Sequence, residues 1–206
     1  MPKPPARRKR KKGTKQNKQS EAIGIGLDEL KAEFNEYLRS ECKDSGIKVV
    51  LSRGLQRKFF IVNGDTAVAD GCDGRDAPSS VDCIFFYEDG DKGRRWIILV
   101  ELWRRRVFKK QKAASRVRSG EMERIKAKFQ DTLRYLREKK AVARKWSNRI
   151  VCVLALSFSV LKLQEKRLIQ EHLRFTVEND EGGQEHHGVY VICPKQDRCL
   201  LESLPL

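Results

Sequence analysis

The stretch RRWIILVELWRRRVFKK, residues 94–110, places one carboxylate, Glu101, inside an apolar run that is typical of the buried centre of a sheet. An ionised carboxylate removed from water costs several kcal/mol unless a partner compensates its charge. Glu101 is therefore predicted to be protonated, to form a salt bridge, or to bind a metal ion. Because side chains alternate along a strand, Glu101 shares one face with Leu99 and Trp103, and the residues between them face the other way.

The preceding run, VDCIFFYED over residues 81–89, places Asp82 near the start of a second apolar strand. The two runs are joined by DGDKG, whose glycines and acids are typical of a hairpin turn. An antiparallel hairpin turning at residues 89–93 brings Asp82 and Glu101 to one end of the sheet, with their carboxylates predicted within about 6 Å of each other. Two carboxylates there repel each other unless a divalent cation binds between them. The pair therefore predicts a magnesium site.

The chain before this hairpin contains one predicted helix, two short strands and a loop. LDELKAEFNEYLRSEC, residues 27–42, repeats apolar residues at a spacing of three or four, which predicts an amphipathic helix. Short strands are predicted in GIKVVLSRG (46–54) and KFFIVN (58–63). The segment NGDTAVADGCDGRDAPSS, residues 63–80, is rich in Gly, Asp, Pro and Ser and predicts a long loop.

The chain after the hairpin begins with the strongest helical pattern of the sequence, GEMERIKAKFQDTLRYLREKKAVARKW over residues 120–146. RIVCVLALS (149–157) is a continuous apolar run, which predicts a strand covered on both faces. A shorter helix is predicted in residues 161–175 and a closing strand in residues 186–194. The order is helix, three strands, helix and strand, followed by additional elements, and it predicts an α/β domain with a central mixed sheet.

This order, with an Asp on one strand and a Glu on the next, resembles the PD-(D/E)xK nuclease superfamily of restriction and repair enzymes over about residues 27–157. The resemblance implies a restriction-endonuclease-like αβββαβ core in which Asp82 and Glu101 hold Mg²⁺ or Mn²⁺. It also implies a Lys two places after the Glu, which positions or activates the attacking water. The segment SVD matches the first motif only at its Asp, and ELW matches the second only at its Glu.

Trp103 stands where the Lys of that superfamily is expected, and it cannot carry a proton or a positive charge in this role. Three interpretations remain open. The lysine has moved to the following helix, where Lys126 and Lys128 are candidates and Gln130 shares a face with Lys126; or the fold binds without cleaving; or the likeness is accidental and the strand carboxylate is a buried, salt-bridged acid. The Gln-x-x-x-Tyr pattern of one branch of the superfamily is not matched, because Gln130 and Tyr135 are one residue too far apart.

Two other groups of charged residues bear on this site. Glu33 or Glu36 on the first predicted helix offers a further metal-binding carboxylate, as the resemblance permits, and a solvated helix face is the alternative for both.

The densest basic segment follows Glu101 without an intervening acid: Arg104, Arg105, Arg106, Lys109, Lys110, Lys112, Arg116 and Arg118. Guanidinium groups bind phosphates through paired hydrogen bonds, so this segment is predicted to bind the nucleic-acid backbone; exposed charged surface is the alternative. Trp103 beside it either stacks on a base or packs against the core.

Residues 1–22 form a predicted disordered basic arm, and residues 23–206 form the predicted nuclease-like α/β domain. The first 20 residues contain nine Lys or Arg and no acid, in a chain of formal net charge +16. Such a segment has too little apolar surface to fold alone, and it binds phosphate polymers without reading their sequence. Nucleic-acid binding, nuclear targeting and solubility remain alternatives. The lack of a membrane-spanning apolar run and of a secretory leader predicts an intracellular protein, in the cytoplasm or nucleoid, or in a eukaryotic nucleus.

The remaining chemistry-bearing residues give weaker signals. The six cysteines are scattered without a Cys-x-x-Cys pair and are predicted to be mostly reduced thiols. Cys193 and Cys199 resemble the end of the iron–sulfur signature of some nucleases of the superfamily, but the other ligands of such a cluster are missing. His186 and His187 lie in a Gly- and acid-rich turn and are predicted surface histidines. Without a Walker loop or a Gly-x-Ser-x-Gly motif, nucleotide hydrolysis and serine-hydrolase chemistry have no support.

The sequence therefore predicts a metal-dependent nuclease that cleaves phosphodiester bonds, with DNA as the favoured substrate. Asp82 and Glu101 hold magnesium or manganese, the cation polarises the phosphate and lowers the pKa of a bound water, and Lys126 or Lys128 assists, with Gln130 close behind. The alternative is an inactive nuclease-like module that binds nucleic acid or a protein complex. Either function is compatible with a homodimer.

Overall fold

The structure is a computed structural model that describes residues 25–44, 46–51, 57–71, 78–90, 93–103, 119–147, 149–157, 163–178, 182–194, 198–201 and 204. The predicted basic arm (1–22) and the predicted phosphate-binding segment (104–118) lie outside the described residues. Within the described part, no helix is both long enough and apolar enough to cross a membrane.

The described chain contains five α-helices, one 3-10 turn and eleven strands. Their bounds are α1 (Leu27–Glu33), a 3-10 turn (Asn35–Tyr37), β1 (Leu38–Arg39), β2 (Cys42–Asp44), β3 (Ile47–Val50), β4 (Arg57–Asn63), α2 (Gly64–Asp70), β5 (Cys83–Asp89), β6 (Arg94–Trp103), α3 (Ser119–Glu138), α4 (Ala141–Trp146), β7 (Ile150–Leu156), α5 (Leu163–His172), β8 (Phe175–Glu178), β9 (Gln184–His187), β10 (Val189–Ile192) and β11 (Arg198–Leu200).

The central sheet has six strands in the order β1-β4-β5-β6-β7-β10. The pairs β1-β4, β4-β5 and β5-β6 are antiparallel, whereas the pairs β6-β7 and β7-β10 are parallel. The prediction of an α/β fold with a central mixed sheet is therefore confirmed. The predicted hairpin is also present, because β5 ends at Asp89 and β6 begins at Arg94. A three-stranded sheet, β11-β3-β2, and a β8-β9 hairpin complete the described architecture.

The central sheet is buried on both faces, as the apolar pattern of β7 predicted. One face packs against α3 and includes Leu99 and, at its margin, Trp103. The other face packs against the three-stranded sheet and includes Val100 and Leu102. The alternation predicted for the strand around Glu101 is therefore present, and the Glu101 side chain points to the face covered by α3.

Two predicted elements have different bounds in the structure. The segment 63–80 was expected to be a loop, but Gly64–Asp70 forms α2, which buries Ala67 and Val68. The glycine content of this segment suggested a loop, but Gly64 serves close packing at the start of α2. A Cβ at this position would overlap the carbonyl oxygen of Val81, so no other residue can replace this glycine. The first helix is also shorter than predicted, since it ends at Glu33 and the chain then enters β1.

One pair of cysteines is oxidised, which corrects the prediction of mostly reduced thiols for these two residues. Cys42 on β2 and Cys83 on β5 form a disulfide, with a Cα–Cα distance of 6.0 Å. Both side chains are fully buried. The bond joins the three-stranded sheet to the central sheet, and the sequence separation of 41 residues between the partners is too large for a spacing motif to reveal. In the described part of the chain, Cys152, Cys193 and Cys199 are free thiols.

Candidate functional site

Asp82 and Glu101 lie opposite each other at one end of the β5-β6 hairpin. The last registered pair of these strands is Cys83 with Val100, so Asp82 precedes the ladder at the level of Glu101. The backbone N–H of Leu102 donates a hydrogen bond of 2.6 Å to Oδ2 of Asp82. This bond fixes the Asp82 carboxylate beside β6. There, the negative charge of Asp82 and its hydrogen bond with the Glu101 carboxyl both raise the pKa of Glu101.

The Glu101 carboxyl is buried, with 5% of the residue exposed. Burial, followed by the charge of Asp82, raises the pKa of Glu101 from 4.5 to about 8. Burial also raises the pKa of Asp82, although the Leu102 hydrogen bond and the charge of Lys128 oppose this effect. The charge and hydrogen bonds of Lys128 oppose this rise, so the pKa of Glu101 lies near neutrality, well above that of an ordinary glutamate. Such shifts are common at functional sites, because catalytic groups need pKa values matched to their task.

Lys128 on α3 supplies the positive charge of the site. Its Nζ lies 2.8 Å from Oε1 and 3.0 Å from Oε2 of Glu101, so the ammonium bonds both carboxyl oxygens. Burial alone would lower the pKa of Lys128, but attraction to Glu101, Asp82 and Asp65 outweighs burial and raises it. Lys128 is therefore a cation at neutral pH.

Asp65 is a neighbour of the site that the sequence interpretation missed. It is the second residue of α2, and its Oδ1 accepts a 2.6 Å hydrogen bond from the hydroxyl of Ser80. Its charge contributes to the raised pKa values of Asp82 and Lys128. Asp65 was overlooked because its segment was expected to be a loop. One feature of the sequence could have pointed to Asp65: its segment directly follows β4, the strand that pairs with β5.

The structure places the other candidate side chains elsewhere. Lys126 forms a 2.9 Å ion pair with Glu123 one turn away on α3, and Gln130 donates a hydrogen bond to the carbonyl of Thr176 in the β8-β9 hairpin. Of the two α1-region acids, the exposed Glu33 pairs with Lys140 at 3.0 Å.

Glu36 lies in the 3-10 turn after α1 and is exposed. Trp103 is partly buried and packs against the core that α3 covers, which agrees with a packing role. His186 is exposed, as predicted, but His187 is buried against Phe175, with ring centroids 5.3 Å apart. The basic residues from Arg104 to Arg118 lie outside the described residues, so their contacts are not defined.

The donor set of Asp82 and Glu101 fits a hard divalent cation that keeps most of its water. Among the described residues, no group of three or more His, Cys, Asp or Glu side chains is arranged to hold a metal ion. Two neighbouring carboxylates are nevertheless sufficient for Mg²⁺, which is usually bound by one or two carboxylates together with waters and substrate phosphates. The hydrogen bonds from Leu102 and Lys128 leave lone pairs on both carboxylates, because each oxygen has two.

Comparison with known proteins gives no independent guide to this site. Searches against protein-family models, curated proteins and solved structures found no match to the chain.

Proposed function

We propose that the chain is a divalent-cation-dependent nuclease with a restriction-endonuclease-like core, acting on DNA as its favoured substrate. The observation that carries this proposal is the contact of Lys128 with both oxygens of Glu101, directly opposite Asp82. Two acids and a lysine are the residue types that the PD-(D/E)xK pattern requires. The lysine that is missing from position 103 is replaced by one from α3.

Each residue has a distinct role in this proposal. Asp82 and Glu101 would hold Mg²⁺ or Mn²⁺, and the bound cation would supply polarisation of a phosphate and a lowered pKa of a bound water. Glu101 must lose its proton before it binds the cation, and its raised pKa makes this loss dependent on pH near neutrality. Lys128 stays charged, so it acts by attracting phosphate oxygens and orienting the water, and not by removing a proton.

The charge of the chain supports a polyanionic substrate. The formal net charge is +16, and the two densest basic segments are residues 1–20 and 104–118. Neutralising phosphates releases counterions, so binding to duplex DNA weakens with salt by a slope of roughly 0.9 per phosphate contact. Deleting residues 1–20 should flatten this slope while cleavage of bound DNA survives; an unchanged slope would assign the arm to targeting or solubility.

Cleavage itself is tested with plasmid DNA, single-stranded DNA and RNA, each with Mg²⁺, Mn²⁺ or a chelator. Wild type should cut at least one substrate only when the divalent cation is present. Asp82→Ala should be inactive, and Glu88→Ala, at the other end of the same strand, should cut like wild type. Cation-independent cleavage, or equal cleavage by Asp82→Ala, would exclude the proposed site.

A second candidate function is a nuclease-like module that binds nucleic acid, or a protein complex, without cutting. The observation that favours it is Trp103, an apolar side chain at the lysine position of the motif that packs against the core. For such a module, wild type would bind DNA but remain inactive under every cation condition. Trp103→Lys, which restores the motif, would then be the variant expected to gain cation-dependent cleavage.

A further inference from the structure

The segment Ser79–Asp82 leads into β5 and determines where the Asp82 carboxylate lies. α2 holds it from one side: Gly64 N–H donates to the carbonyl of Asp82 at 3.2 Å, and Ser80 donates to Asp65 at 2.6 Å. α3 holds it from the other side, where the Ser79 hydroxyl donates to Asp131 at 3.2 Å. The position of Asp82 is therefore set by two helices that are remote from it in sequence.

The most buried of these contacts is made by Thr132 on α3, whose exposed fraction is 0%. Its hydroxyl oxygen accepts a 3.1 Å hydrogen bond from the backbone N–H of Val81. The same hydroxyl donates a 2.8 Å hydrogen bond to the carbonyl oxygen of Lys128, one turn earlier on α3. A single hydroxyl thus connects the residue before Asp82 to the backbone of the lysine that bonds Glu101.

We propose that Thr132 is a positioning residue that fixes the location of Lys128 relative to Asp82, an inference that rests on the proposed nuclease function. Both of its hydrogen bonds are needed for this role, and only a side chain that donates and accepts at one atom can make them. A threonine within a helix can donate to the carbonyl four residues earlier without leaving the helical conformation. The acceptor side of the hydroxyl then remains for Val81.

Thr132 acts through its neighbours, so its loss should change rate more than substrate binding. Partners one step removed from metal ligands commonly contribute about 10- to 100-fold to metal affinity or activity. Displacement of a catalytic group by about 1 Å can have an effect of similar size. A hydroxyl that only stabilised the fold would instead reduce activity in proportion to the fraction of unfolded protein.

The test uses full-length wild type, Thr132→Val, Thr132→Ser and the control Thr176→Val, which removes the hydroxyl that contacts His186 in the β8-β9 hairpin. Activity is measured as kcat and KM per folded molecule, with the folded fraction taken from thermal unfolding. Thr132→Val should lower kcat about 10- to 100-fold with KM changed by less than about threefold. Thr132→Ser should restore kcat to within about threefold of wild type, and Thr176→Val should match wild type.

Asp82→Ala, measured in parallel, separates failure of this inference from failure of the proposed function. If Asp82→Ala is inactive and folded Thr132→Val has wild-type kcat, the positioning role is overturned and the nuclease proposal stands. If Asp82→Ala cuts like wild type, both are overturned. Should Thr132→Val not fold, Thr132→Cys, which has similar size and a much weaker hydrogen-bonding group, replaces it with the same two outcomes.

Discussion

The two ends of the β5-β6 hairpin have opposite electrostatic arrangements. At the turn, acids on β5 face bases on β6: Glu88 is in register with Arg95, with which it forms a 2.9 Å ion pair, and Asp89 is in register with Arg94. At the other end, Asp82 faces a second acid, Glu101, and the balancing cation comes from Lys128 on α3. The same two strands thus balance charge locally at one end and depend on a helix at the other.

This difference bears on which end carries the proposed function. A pair of opposite charges across two strands is an ordinary structural feature, and it adds modestly to stability. Two buried acids side by side oppose folding, as the raised pKa of Glu101 to about 8 reflects. Local arrangements that reduce stability in this way are expected at functional sites. The comparison therefore favours the Asp82 end as the candidate site and the turn end as its structural counterpart.

The largest effect is expected from removing the positive charge of Lys128, which α3 contributes to the site. Lys128→Met should lower kcat by about 100- to 1000-fold, the range found when one charge-stabilising donor is removed from an active site. Lys126→Met is the matched control, because Lys126 lies on the same helix but pairs with Glu123. Single-turnover cleavage under Mg²⁺ measures both variants. Equal losses in the two would show that the contact of Lys128 with Glu101 has no special role.

The disulfide next to the site should contribute strongly to the stability of the fold. Cys83 directly follows Asp82, and its bond to Cys42 closes a long loop. Cys42→Ser with Cys83→Ser should lower the free energy of unfolding by about 2–4 kcal/mol, as for other loops of this kind. Urea unfolding measures the change, and adding reductant should destabilise wild type but not the double variant. Equal reductant sensitivity in both proteins would contradict this assignment.

The pH dependence of stability should report the raised pKa of Glu101. Because the pKa of Glu101 is raised from 4.5 to about 8 on folding, its contribution to stability is fully present below pH 4.5 and is lost as pH rises to about 8. Over this window the unfolding free energy should fall by up to about 1.4 kcal/mol per pH unit. Glu101→Gln, which cannot titrate, should lack this component. A wild-type profile parallel to that of Glu101→Gln would contradict the raised pKa.

The smallest effect is expected at the turn. The Glu88 and Arg95 side chains are partly exposed, so solvent screens their ion pair. Glu88→Gln should therefore lower the free energy of unfolding by at most about 1 kcal/mol and leave cleavage unchanged. Chemical unfolding and the plasmid assay measure the two quantities. A loss of cleavage here would remove the distinction between the two ends.

The hairpin and the facing of its acids were predictable from sequence, because strand periodicity and a glycine-rich turn are local signals. Which of the two helix lysines contacts Glu101 could not be predicted from the sequence. Lys126 and Lys128 point in different directions from one helix, and only the packing of Phe129 and Leu133 against the sheet decides which one reaches Glu101. Asp65 was missed for a similar reason, since α2 depends on a close approach of Gly64 to Val81 that composition does not reveal.

The central claim is that Asp82 and Glu101 bind a divalent cation, and calorimetric titration with Mn²⁺ at pH 7 tests it most directly. Repeating the titration in buffers of different ionisation enthalpy gives the number of protons released. Because Glu101 has a pKa of about 8, wild type should bind one cation per chain and release about one proton. Glu88→Gln should behave like wild type, while Asp82→Ala and Glu101→Gln should lose the binding. Equal Mn²⁺ affinity in wild type and both site variants, or no binding at all, would contradict the account.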